Sequence, residues 1–156
     1  YKRQGLKLVR GAYMEKEREF ALKNGSLDPI QPTKQATDLD FTKAVEYCIS
    51  KIIFVSICVG THNEQSVQHL TKLMLKMKLS NNDKRIYFAQ LLGMSDHISF
   101  NLSAMGYNVA KYVPYGPVKE VLPYLIRRAE ENTSVSGQTS RELSLIKKEI
   151  KSRKLV

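Results

Sequence analysis

Residues 52 to 59 read IIFVSICV. A strand that is dry on one face and wet on the other alternates apolar and polar side chains, and this run barely does. It is therefore predicted to be interior to a parallel sheet, covered on both faces. A parallel neighbour cannot be reached through a tight hairpin, because the chain must first return to the same end of the sheet. The flanking segments supply that return. TDLDFTKAVEYCISK (37–51) and EQSVQHLTKLMLKMKL (64–79) both space apolar residues three and four apart, as helices packed on a sheet do.

The same order recurs along the chain. LKLVRGAY (6–13) reads as a short strand ending in a glycine, and MEKEREFALKNG (14–25) as a charged helix stopped by Gly25. Further on, RIYFAQLLGM (85–94) is strand-like, SDHISFNLSAMG (95–106) a compact helix, VAKYVPYG (109–116) the next strand and PVKEVLPYLIRRAEEN (117–132) the next helix. Pro117 suits the first turn of that helix. Strand followed by helix, four times over, defines an α/β class with a parallel sheet. Four units make half of a (β/α)8 TIM-like barrel, with an open doubly wound sheet as the other arrangement. Residues 1–133 form this unit, and 134–156 read as a basic amphipathic helix or tail with Leu143, Ile146 and Ile150 on one stripe. The chain opens on Tyr1 and its pattern never closes on itself, so it is expected to be a piece of a longer protein.

Charge narrows the partners. With 25 Lys and Arg against 15 Asp and Glu, the net charge of +10 favours anionic ligands. Nucleic acid is disfavoured, because no basic stripe interleaved with aromatics, no zinc spacing and no RNP-like segment occurs. The lysines flanking the tail stripe match an interfacial membrane pattern. No apolar run reaches the roughly 18 residues of a membrane span. His62, His69 and His97 lack companions at ligand spacing, so no metal is expected. Glycine-rich loops of the dinucleotide or P-loop type are missing. Cys48 and Cys58, in apolar surroundings, read as free thiols of a reducing compartment.

Polar and small residues gather where the strands end: RGAY (10–13), GTHN (60–63), QLLGM (90–94) and YVPYG (112–116). In parallel α/β folds those carboxyl ends line the site. Lys7 and Arg10 could each donate to an electron-rich group, but the two-residue period of a strand sends them to opposite faces. Gly11 and Ala12 offer a place where a flat ring could approach the backbone. On the last helix Tyr124, Arg127 and Arg128 are spaced i, i+3, i+4, and two guanidinium forks suit a carboxylate. The alternative is a pair of helix C-terminal cations beside Glu130 and Glu131.

KLVRGAY with the following EKERE, VGTHNE, YFAQLLGM and YVPYGPVKEVLPYLIRRAEEN, in this order, resemble the C-terminal half of the proline dehydrogenase family of the eukaryotic mitochondrial type. The resemblance spans roughly residues 6 to 133. It implies a distorted (β/α)8 barrel holding FAD non-covalently, L-proline as substrate, Δ1-pyrroline-5-carboxylate as product, and a quinone acceptor at the inner mitochondrial membrane. By the family pattern Arg127 and Arg128 hold the substrate carboxylate, Tyr124 helps enclose the site and Tyr112 packs near the proline ring. Ala12, Tyr13 and Leu91 match pocket or flavin-contact positions. Thr61, His62 and Asn63 match a flavin-contacting stretch, as do Val9, Gly11 and Gln90 more loosely.

One departure bears on the flavin. The arginine that bacterial members place near flavin N5 falls on Lys7, and their lysine ahead of the glycine falls on Arg10, so either cation is a candidate. A lysine and an aspartate that the family contributes from earlier strands fall outside this sequence, and the chain is not expected to be catalytic alone. Hydroxyproline dehydrogenases share the same stretches but carry a small residue at the position of Tyr112, which favours proline here. A non-catalytic half-barrel that binds flavin or membrane is the reading from a different class.

Overall fold

Each strand pairs with the next one along the chain. In the computed structural model β1 (Gln4–Leu8), β2 (Val55–Gly60), β3 (Ile86–Leu91) and β4 (Val109–Tyr112) form one sheet in the order β1-β2-β3-β4. All three ladders are parallel. The crossovers run through α1 (Met14–Asn24) and α2 (Lys34–Ser50), then α3 (Glu64–Lys76), then α4 (Asp96–Ala104). A further helix, α5, spans Val118–Ser134. The structure describes residues 4–134, 143–144, 147–148 and 150–152. The chain divides into two units, Tyr1–Tyr112 and Val113–Val156. The sheet and α1 to α4 lie in the first, and α5 lies in the second.

One face of the sheet is the core. Ile57 and Val59 of β2 and Ile86 and Phe88 of β3 are buried against Phe41, Val45, Cys48 and Ile49 of α2, Val67, Leu70 and Met74 of α3, and Ile98 and Leu102 of α4. Each side chain of this size contributes about 1.5–3 kcal/mol when fully buried. Phe88 also meets the edge of the Tyr107 ring, with centroids 5.5 Å apart.

The expectation of one apolar strand from Ile52 is corrected. Residues 51–54 form the turn that joins α2 to β2, and the strand begins at Val55. The strand is also not covered alike on both faces: Ile57 and Val59 are buried while Ser56 and Cys58 are only half-buried. The apolar run is unbroken because an apolar turn, in which Ile52 is 5% exposed while Ile53 and Phe54 are exposed, directly precedes an alternating strand.

The second face carries Lys7, Cys58, Gly60, Ala89, Leu91, Ala110 and Tyr112 in register. Lys7 is on the edge strand β1 and Tyr112 on the opposite edge, yet the Lys7 Nζ stands 5.2 Å from the centre of the Tyr112 ring. On a flat sheet three strand spacings of about 4.8 Å and four residues of rise put their Cα atoms roughly 19 Å apart, too far for the two side chains to meet. The sheet therefore curls, with this face concave. That is the sense in which strands begin to close a barrel.

Local signals place the helices. Thr33 caps α2 by accepting from the Ala36 N–H at 3.1 Å, so the helix starts three residues before the expected Thr37. Asn63 caps α3 through the Ser66 N–H at 2.9 Å. Gly25, at φ 61°, ends α1 in the left-handed conformation that glycine adopts at no steric cost. In the second unit the Pro117 carbonyl accepts from the N–H groups of Glu120 and Val121 and so starts α5. Pro123 lies inside that helix and cannot donate to the Lys119 carbonyl, an interruption of the ladder that the spacing alone did not announce. Described tail positions 143–144, 147–148 and 150–152 are helical, while Ile146 of the expected stripe lies outside the described residues.

Candidate active site

The carboxyl ends of the strands separate the two cations of the first strand segment. Lys7 lies on the concave face, beside Cys58 in register and against the Tyr112 ring. Arg10 turns to the helix side. Its guanidinium pairs with Asp38 at 2.8 Å, donates to the Ser66 hydroxyl at 3.0 Å and to the Thr61 hydroxyl at 3.4 Å, and lies 4.6 Å from the centre of the Phe41 ring. With these partners Arg10 ties the end of β1 to α2 and to the start of α3.

Small residues make the floor of the concave face. Gly60, Ala89 and Ala110 stand side by side on β2, β3 and β4. A methyl group added at Gly60 would come within 3.0 Å of Val9 Cγ1 and 3.4 Å of Lys7 Cε, so the glycine leaves room for both side chains. Leu91 pairs with Tyr112 in register, and Tyr112 is 47% exposed at the rim. Gly11 (φ 75°) and Tyr13 (φ 60°) frame Ala12 in a turn after β1, and Tyr13 carries its 70% exposed ring from a left-handed backbone that a bulky residue seldom adopts.

A buried polar chain connects the ends of β2 and β3. Gln90 is 2% exposed on the helix side, and its Nε2 donates to the Thr61 carbonyl at 3.3 Å. Ser99 of α4 donates its hydroxyl to Gln90 Oε1 at 3.0 Å. The Ser99 backbone N–H in turn donates to the Ser95 carbonyl at 3.1 Å, and the Ser95 hydroxyl meets His62 Nδ1 at 2.9 Å. Thr61 is occupied as well, its hydroxyl accepting from the Asn63 N–H at 3.1 Å. Sequence reasoning singled out Thr61, His62, Asn63 and Gln90 but missed Ser95, Ser99, Ser66 and Asp38. Only the fold brings those serines and that aspartate to the strand ends.

Neither cysteine is poised as a nucleophile. Burial pushes the Cys58 thiol up from its ordinary value, with the Lys7 charge working weakly the other way, and burial alone pushes Cys48 up. Among the described residues no group of three or more His, Cys, Asp or Glu could hold a metal ion.

In the second unit Tyr124 and Arg128 form a pair. The Arg128 guanidinium lies 4.9 Å from the centre of the Tyr124 ring, one helical turn away. Arg127, the neighbour of Arg128, is exposed. Stacking on an aromatic face restrains a guanidinium while leaving its N–H fork to donate, which suits recognition of a planar anion.

Residues 2–141 match the family described as proline dehydrogenase. The chain is 47% identical over 145 residues to human proline dehydrogenase 1, mitochondrial, which covers 91% of this chain and 24% of that protein. Against bovine hydroxyproline dehydrogenase it is 43% identical over 155 residues, 97% of this chain and 33% of that one. The chain thus spans a quarter to a third of these relatives. Among solved structures it superposes on proline utilization A from Bdellovibrio bacteriovorus inactivated by N-propargylglycine, with a TM-score of 0.77 and 27% identity, over 85% of this chain and 14% of that one. An α/β parallel-sheet fold resembling the barrel-like domain of those proteins is thereby shown.

Proposed function

The chain belongs to the proline dehydrogenase family, and from that premise we propose that it supplies about the carboxyl-terminal half of a distorted (β/α)8 barrel that binds FAD and oxidises L-proline to Δ1-pyrroline-5-carboxylate. Residues 1–133 are the barrel half in this reading, and 134–156 a basic amphipathic helix. Electrons pass to a quinone from an enzyme held peripherally on the matrix side of the inner mitochondrial membrane, a setting that rests on the family resemblance and the names of the relatives.

The observation that carries the reading is the concave face. Its floor of Gly60, Ala89 and Ala110 lets a flat ring approach the backbone, and Lys7 offers a cation at its edge. Those features fit a flavin, with Val9, Gly11, Ala12 and the Thr61–His62–Asn63 turn as further contacts. Of the two candidate cations, the geometry favours Lys7, because Arg10 is spent on Asp38, Ser66 and Phe41.

FAD, when bound, would supply the hydride acceptor for the ring carbon beside the proline nitrogen. The side chains do the rest by placement and charge. Arg127 and Arg128 neutralise and orient the substrate carboxylate, Tyr124 restrains Arg128 and helps enclose the site, and Tyr13 and Leu91 line the pocket. The substrate amine has to be neutral at the transfer step, since a protonated nitrogen has no lone pair to stabilise the developing iminium.

Relatives named for proline and for hydroxyproline occur at similar identity, so identity does not choose between them. Tyr112 favours proline: its ring stands at the rim of the concave face, where a hydroxyl on the substrate ring would crowd it. The test is an anaerobic titration of the full-length, flavin-loaded protein with L-proline and, in parallel, trans-4-hydroxy-L-proline, following flavin absorbance. Bleaching by proline is the expected result. Preferential bleaching by hydroxyproline would overturn the substrate, and no reduction by either would leave the non-catalytic flavin-binding reading.

A further inference from the structure

Ser95 stands out among the residues that the function has not absorbed. It is 2% exposed, precedes α4, and holds φ 52° and ψ 41°, a left-handed backbone that disfavours any residue with a Cβ. Its hydroxyl lies 2.9 Å from His62 Nδ1. Its carbonyl accepts the N–H groups of Ile98 at 3.0 Å and Ser99 at 3.1 Å, so the backbone that carries the hydroxyl is itself fixed to α4.

The chain behind it is equally constrained. A carbonyl can only accept, so Gln90 must present its amide Nε2 to Thr61 and its Oε1 to Ser99. The Ser99 hydroxyl lies 3.0 Å from Gln90 Oε1 and 3.2 Å from the Ser95 carbonyl, two acceptors for its single proton, and so joins α4 to the end of β3 beneath the Thr61–His62–Asn63 turn. Strain of this kind persists only where the surroundings over-determine it. Glycine would relieve it, but glycine has no hydroxyl.

We propose that Ser95 is a positioning residue, holding the His62 ring through Nδ1 so that the turn from Thr61 to Asn63 meets the flavin in one orientation. This rests on the flavin reading above. A half-buried imidazole held through Nδ1 keeps one ring orientation, whereas a less restrained one has to be ordered when the ligand binds, at a cost in affinity.

The test uses the full-length protein stripped of flavin and titrated with FAD, in four forms: parent, Ser95→Gly, His62→Ala and the double variant. Thermal unfolding of the flavin-free forms is measured alongside. Ser95→Gly relieves the left-handed strain, so its unfolding temperature should equal or exceed that of the parent, while its Kd for FAD rises roughly ten-fold, the loss of one good hydrogen bond. In the His62→Ala background the same substitution should leave Kd unchanged, because Ser95 acts through His62. Ser95→Cys, which keeps the shape and a weak donor, should recover part of the loss.

Two results overturn the proposal: a Kd for Ser95→Gly within two-fold of the parent, or an equal loss with and without His62. A parent that takes up no FAD refutes the flavin reading itself, and the positioning role falls with it.

Discussion

Lys7 and Arg10 are three residues apart, and the structure gives them separable jobs that two substitutions can pull apart. Arg10→Met removes a guanidinium whose side chain is 17% exposed, with partners at Asp38 and Ser66 and over the Phe41 ring. The charged hydrogen bond to Ser66 is worth about 1.5–3 kcal/mol and the ring contact about 0.5–1 kcal/mol. The ion pair adds about 0–1 kcal/mol, because Asp38 is 34% exposed and keeps Lys34 at 2.7 Å. Since the terms overlap, the expected loss is about 2–4 kcal/mol, read by chemical denaturation of the flavin-free full-length protein.

Lys7→Met should do the reverse. Lys7 is exposed on the concave face, so stability should change by less than about 0.5 kcal/mol. Losing a cation near the flavin destabilises its reduced, more negative form, and the midpoint potential should fall. For a two-electron couple each 1.4 kcal/mol is roughly 30 mV, so a drop of tens of millivolts is expected. Arg10→Met should leave the potential of the loaded enzyme unchanged. A potential lowered as much by Arg10→Met as by Lys7→Met, with stability intact, would refute the assignment of the two cations to opposite faces.

Three further outcomes are expected. Tyr112→Ser should relax discrimination against hydroxyproline, seen as a shift in the ratio of kcat/KM for the two substrates; an unchanged ratio would defeat the steric account. The rate of flavin reduction by proline should rise with pH through the neutral and mildly alkaline range as the substrate amine loses its proton, and a flat stopped-flow profile would contradict it. Phe88→Ala, at a fully buried position against Tyr107, should cost about 3–5 kcal/mol in the denaturation assay, and a cost under about 1 kcal/mol would mean that this core is not packed as described.

What the sequence makes legible follows from the range of the physics. Strand and helix periods are local, so the order of elements from β1 to α5 can be read along the chain, as can Gly25 as a helix stop. The opposite facing of Lys7 and Arg10 is also a matter of period. The beginning of α2 was harder, because Thr33 and Thr37 are both acceptable caps and only the turn after Pro32 selects the first. Ile52 to Phe54 reads as strand because this turn is as apolar as a strand, although only Ile52 of the three is buried. The partners of Arg10 and His62 were not legible at all. Asp38 is brought to Arg10 by α2, and Ser95 to His62 by β3 and α4, so only the assembled ladders show them.

The order of the sheet has a kinetic side. Because β1, β2, β3 and β4 add in the order in which they are made, a strand leaving the ribosome finds its partner already in place, and the longest ladder separation is the 51 residues between Gln4 and Val55. A sheet growing this way always presents an unpaired leading edge, which is open to the wrong partner until the next strand docks. The contact of Lys7 with Tyr112 bridges 105 positions of chain and needs all three ladders curled beneath it. A probe placed there would time the moment at which the bowl acquires its shape.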